Sequence, residues 1–161
     1  MTSLRRSILV AGLLVVVPLL PSAPAAAAEP SPKTEELVVR DAWARATPPG
    51  TGVAAVYLTV EGGAKSDTLR AATTDVATMT QIHSVTETDG VARMRETDGV
   101  PVPARGKVVL APGGLHLMLM GLSGPLVAGE RFDVTLEFAH AGRRVVSVVV
   151  IAPDQVAPGG P

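Results

Sequence analysis

The 161-residue chain contains no cysteine, and it has only one tryptophan, one tyrosine and two phenylalanines. Without cysteine it can form no disulfide, act as no thiol reductant and present no thiolate to a metal. An exported domain of this size would then have to stand on its hydrophobic core alone. Lysine and arginine form no cluster, and the overall balance is weakly acidic, which argues against nucleic acid or anionic lipid as a partner. No window carries a sustained helical repeat. Gly-x-Ser-x-Gly and His-Glu-x-x-His are both missing, so the common hydrolase signatures are excluded. Ser84 does stand beside His83, but neighbours in a strand point to opposite faces and cannot form a nucleophile–base pair. No enzyme is expected.

What is present begins with an export signal. Arg5 and Arg6 precede an apolar stretch from Ile8 to Leu20, and Ala26-Ala27-Ala28 supplies the small residues of a cleavage site. The apolar stretch is short of the roughly 20 residues that span a bilayer. A secretory signal peptide over 1–28, cleaved near Ala28, is therefore expected, with an uncleaved anchor as the alternative and no cysteine for a lipid to occupy. The Arg pair leaves the twin-arginine and the general secretory routes both open. Losing Arg5 and Arg6 takes the formal net charge from −1 to −3. The expected mature protein is extracytoplasmic or periplasmic, with no membrane insertion of its domain.

The rest divides into a flexible tail over 29–36, one domain over 37–151 and a disordered tail over 152–161. Within the domain, short Val/Leu/Thr/Ala runs are cut by Pro48-Pro49-Gly50, Gly62-Gly63, Asp89-Gly90, Pro112-Gly113-Gly114, Gly129 and Ala141-Gly142. Strands are expected at 36–45, 53–61, 67–73, 79–87, 91–96, 106–111, 114–120, 131–139 and 143–151. Turn signals at that interval indicate an all-β, antiparallel sandwich or barrel.

Two histidines and two methionines lie between residues 83 and 118. Ten residues separate His83 from Met94, twenty-one separate Met94 from His116, and one separates His116 from Met118. Imidazole and thioether are the only soft or borderline metal ligands the chain owns, and thioether sulfur suits Cu(I). A two-residue loop at Asp89-Gly90 would pair Val85 with Met94 and His83 with Glu96, putting 83, 85, 94 and 96 on one face. A three-residue loop would shift that register. In Gly114-Leu-His-Leu-Met-Leu-Met120, alternation sends His116, Met118 and Met120 one way and the leucines into the core. Met120 is a reserve ligand. The structural alternative is that each histidine is simply satisfied at the surface and each methionine fills a core gap.

The spaced motif, with PGGLHLMLMGL around its second half, resembles that of the PCu(A)C family of extracytoplasmic copper chaperones. DAWARATPPGTGVAAVYLTVE (41–61) is similar to the family's opening strands, and EFAHAGRRVVSVVV (137–150) to its last hairpin. Val85, Glu87 and Ala92 stand where members often carry further methionines. The resemblance implies a cupredoxin-like Greek-key sandwich that binds one Cu(I) through His83, Met94, His116 and Met118. It also implies delivery to the binuclear copper site of cytochrome c oxidase, directly or with a Sco-type thiol protein. A blue-copper centre would need a cysteine thiolate. The reading from another class is an exported immunoglobulin-like interaction module whose His/Met face is incidental. Of the remaining residues, Trp43 is expected as an anchor between sheets, Arg45 beside an acidic neighbour, His140 in an exposed turn and Met79 in packing. Glu61 and Asp67 are given no chemistry.

Overall fold

A computed structural model describes residues 36–88 and 90–158. The expected export signal at 1–28, nearly all of the expected tail at 29–36 and the last three residues lie outside them. Ten strands follow one another: β1 (Val38–Arg45), β2 (Val53–Glu61), β3 (Asp67–Thr73), β4 (Ala77–Thr88), β5 (Val91–Glu96), β6 (Val100–Val102), β7 (Lys107–Leu110), β8 (His116–Leu122), β9 (Arg131–Phe138) and β10 (Gly142–Ile151). Nine of them match the expected segments to within a few residues. The tenth, β6, reads as loop in the sequence because Pro101 interrupts it. It is a three-residue edge strand on β3, the position where a strand tolerates proline.

The strands hydrogen-bond in the order β5-β4-β8-β2-β1-β10-β9-β3-β6, with β7 added to the second half of β2. All neighbours are antiparallel except β1 and β10, which run parallel. β2 changes partner along its length: Val53–Val56 pair with β8, and Leu58–Glu61 with β7. That fork lets one strand serve two layers, and the result is a β-sandwich around one core.

The core follows from alternation. Val56, Leu58 and Val60 from β2, Leu117 and Leu119 from β8, Val134 and Leu136 from β9, and Val148 and Val150 from β10 are all essentially inaccessible. Each contributes about 1.5–3 kcal/mol of apolar burial. Because Leu117 and Leu119 face inward, the residues between them must face out. A bulge in β1 does similar work: Asp41 has a left-handed φ of 52°, and the register with β2 shifts by one between Arg40 and Trp43. The shift sets Trp43 opposite Tyr57, both on the outer face.

The start of the C-terminal segment, expected to be disordered, is tied down over 152–155. Arg45 Nη1 donates to the carbonyls of Ala152 at 3.2 Å and Pro153 at 2.6 Å, and the Ala152 N–H donates to Gln155 Oε1 at 2.8 Å. Arg45 therefore binds backbone carbonyls rather than an acidic strand neighbour.

Candidate metal centre

The β4–β5 hairpin has the shorter of the two loops considered. Thr88 pairs with Val91, Val85 with Met94 and His83 with Glu96. Gly90 carries the positive φ, 73°, that such a turn requires. Asp89 itself lies outside the described residues. His83, Val85, Met94 and Glu96 thus share one face, with Met94 diagonal to His83.

β8 lies against the other edge of β4. Pro112-Gly113 forms a tight turn closed by the Gly114 N–H donating to the Ala111 carbonyl at 3.0 Å, with Gly113 at φ 78°. Proline followed by a left-handed residue is what a type II turn asks for. The turn brings Gly114 against the hairpin, where its carbonyl accepts the Val85 N–H at 3.2 Å. From there the register runs His83 opposite His116, Gln81 opposite Met118 and Met79 opposite Met120. Directly opposed residues share a face, so His83, Met94, His116 and Met118 all lie on the outer side of β5-β4-β8. The two imidazoles meet edge to face, with ring centres 5.7 Å apart and planes at 78°.

Hydrogen bonds select a tautomer for each ring. Gln81 Nε2 donates to the Glu96 carboxylate at 2.9 Å, which leaves Gln81 Oε1 turned to His83 Nε2 at 3.1 Å. An amide oxygen can only accept, so His83 carries its proton on Nε2. Its Nδ1 is then a bare lone pair, buried and without a hydrogen-bond partner among the described residues. His116 Nδ1 lies 3.2 Å from the Gly114 carbonyl and donates to it, leaving Nε2 as the lone pair. An orphaned buried acceptor is costly unless something else occupies it. A metal ion fits that demand, and the second-sphere pattern of a ring N–H held by an amide oxygen or carbonyl is the one metal-ligating histidines use.

Burial is graded across the site. His116 is 4% exposed, His83 and Met118 are half-buried, and Met94 on the outer strand β5 is 52% exposed. His116 continues into a line of rings, with Tyr57 at 6.3 Å, Trp43 at 4.5 Å from Tyr57, and the Arg45 guanidinium 5.5 Å above Trp43. Trp43 is buried, but on the opposite face from Ala42 and Ala44, so it is a cation platform backing the site rather than an anchor between sheets. Burial raises the Tyr57 hydroxyl above the usual phenol value, with Arg45 pulling weakly the other way.

One further expectation changes. Met79 is 53% exposed rather than packed, because Ile82 faces the core and strand alternation turns Met79 outward with Gln81 and His83. Met120 stands on the same face. Ser84 faces away from His83 and donates from Oγ to the Arg95 carbonyl at 3.5 Å. His140 is exposed in its turn, and Asp67 takes a structural role there: its carboxylate accepts the N–H groups of Thr68, His140 and Ala141 at 2.7–2.9 Å.

Comparison with known proteins places these features in context. Residues 37–150 match the family described as "Putative lipoprotein LpqE-like". Over 129 residues the chain is 36% identical to "Putative lipoprotein Lxx21020" of Leifsonia xyli subsp. xyli, covering 79% of this chain and 76% of that protein. Among solved structures it is similar to the copper-bound PCuAC domain from PmoF2, with a TM-score of 0.63 and 25% identity over 74% of this chain and 96% of that one. It is also similar to Cu(I)-bound DR1885 from Deinococcus radiodurans, with a TM-score of 0.60 and 31% identity over 81% and 85% of the two chains. These neighbours agree with the cupredoxin-like or immunoglobulin-like sandwich that the strand pattern indicates.

Proposed function

The chain belongs to the LpqE-like family, and we propose that it is an exported carrier of Cu(I) whose ligands are His83, Met94, His116 and Met118. One observation carries the reading. Every methionine after Met1 (Met79, Met94, Met118 and Met120) stands on the outer face of β4, β5 and β8 beside two histidines. Methionine ordinarily fills irregular gaps in cores. Turning four of them out of the core, onto one face with an unpartnered imidazole nitrogen, suits a soft cation. The copper-bound and Cu(I)-bound domains that this chain resembles support the choice of metal, and the lipoprotein description of its family supports export.

The donor set also suits delivery rather than storage. Thioethers and neutral imidazoles add no charge, so the complex keeps only the ion's single positive charge. His116 forms the fixed, buried end of the set, and Met94 the exposed end on the outermost strand. A recipient's ligands would displace Met94 first and His116 last. By its resemblance to PCu(A)C chaperones, the recipient is the binuclear copper site of cytochrome c oxidase, reached directly or through a Sco-type thiol protein.

Mass spectrometry of the folded protein titrated with Cu(I) under reducing conditions tests the assignment. Tight uptake of a first equivalent is expected, with Zn(II) held far more weakly because thioether is a poor zinc ligand. Equal affinity for zinc, or no copper uptake, would leave the His/Met face as an incidental feature of an immunoglobulin-like interaction module.

A further inference from the structure

Met79 and Met120 are directly opposed across β4 and β8, and Met118 lies two residues before Met120 on the same face. β5 pairs only with His83–Thr88 of β4, so the sheet has no β5 neighbour at the level of Met79. Met79 is 53% exposed there, and Met120 and Met118 are half-buried beside it. On its far side Met120 pairs with Val53, itself 46% exposed. Among the described residues no histidine or carboxylate pairs into this end of the face, and the amide of Gln81, opposite Met118, is already engaged by Glu96 and His83. Three thioethers thus stand together, two of them outside the four-ligand set and the third, Met118, shared with it.

From this placement we propose that Met79, Met118 and Met120 form a second, weaker Cu(I) site of thioether sulfurs alone, sharing Met118 with the first. Directly opposed and diagonal positions on neighbouring strands are roughly 4.5–8 Å apart at the backbone, within the reach of unbranched thioether side chains. Sulfur-only neutral sets select Cu(I) over zinc and over hard cations. Met118 is the hinge of the pair of sites: an ion can leave the histidines by exchanging them for Met79 and Met120 without losing Met118. That gives the face two ends from which copper can be handed on, Met94 at one and Met79 at the other. The inference rests on the Cu(I) chemistry proposed above, but not on His83 or Met94 as ligands.

The test is an NMR titration of protein labelled with 13C at the methionine methyls, using Ag(I) as a soft closed-shell probe and then Cu(I) under reducing conditions. The first equivalent should move the Met94 and Met118 methyls, and the second those of Met79 and Met120. Met79→Leu, close in volume, should erase the second set of shifts and leave the first intact. His83→Ala should weaken the first step while the Met79 and Met120 shifts persist. Saturation after one equivalent with Met79 and Met120 unmoved would overturn the second site and leave the carrier reading standing. Shifts of Met79, Met118 and Met120 with Met94 silent throughout would uphold the thioether site and overturn the four-ligand one.

Discussion

Gln81 stands between Glu96 and His83, donating to the carboxylate at 2.9 Å and presenting its carbonyl oxygen to the imidazole Nε2 at 3.1 Å. Gln81 and His83 are alternate residues of β4, and Glu96 is His83's direct partner on β5. The three residues therefore act as one device that aims a lone pair. The acid orients the amide, the amide holds the Nε2 proton, and Nδ1 is left bare and buried.

Gln81→Leu should consequently weaken Cu(I) binding by about 10-fold, in line with the loss of second-sphere partners at other metal sites. The cause would show in long-range 15N correlation spectra of the metal-free protein. The wild type should report one His83 tautomer, protonated at Nε2, and the variant a mixture. An unchanged tautomer together with unchanged affinity would remove Gln81 from the site.

Met94 offers a cleaner separation of binding from folding. It sits 52% exposed on a strand whose every residue is exposed. Met94→Ala should therefore change stability by no more than about 0.5 kcal/mol, the range of ordinary surface substitutions. Cu(I) affinity should nevertheless fall at least several-fold in competition with a Cu(I) chelator. A variant that loses stability while keeping its affinity would show Met94 to be a packing residue.

Oxidation should discriminate in the same direction. Mild peroxide converts thioether to sulfoxide, replacing a soft donor with a harder oxygen. The exposed Met79 and Met94 should react before the half-buried Met118 and Met120, in an order that peptide mass mapping can follow. Cu(I) uptake should fall in step with Met94 oxidation while the far-ultraviolet β signature persists. Unfolding at that stage would contradict the outward placement.

Asp67 predicts a pH dependence far from the site. Burial by itself would raise its carboxyl, but hydrogen bonds from the N–H groups of Ala141, Thr68 and His140, with the His140 side chain adding to them, outweigh it and hold it below the ordinary 3.8. A carboxylate whose folded value is depressed stabilises the fold above its unfolded value, and that contribution is lost as pH falls through the folded one. Asp67→Ala leaves three N–H groups, that of Thr68 in β3 and those of His140 and Ala141 in the turn, without their acceptor and should cost about 3 kcal/mol near neutrality. Urea denaturation should show the gap between wild type and variant constant through neutral pH and narrowing only on the acid side of the carboxylate range.

Much of this architecture is legible locally. Alternation in β8 separates Leu117 and Leu119 from His116 and Met118 without reference to any other strand, because side chains in a strand change face at every residue. The Asp89-Gly90 pair sets the hairpin register, and hence the Met94–His83 diagonal, because only a two-residue turn with positive φ closes it so tightly. Proline and glycine at 112–114 mark the turn that starts β8. What no local pattern contains is which strand lies beside which. β4 and β8 are separated in sequence by β5, β6 and β7, and their alignment of His83 with His116 depends on Ile82, Leu117 and Leu119 finding the same core. That choice also turned Met79 outward, since its side follows from where Ile82 is buried. The bulge at Asp41 belongs to the same class. A one-residue slip in β1 is invisible in composition, yet it decides that Trp43 backs the site through Tyr57 instead of filling the space between the sheets. Sequence periodicity thus determined the faces of individual strands. Only burial in a shared core could decide the registers between distant ones, because those registers are set by the packing of side chains that stand far apart in the sequence.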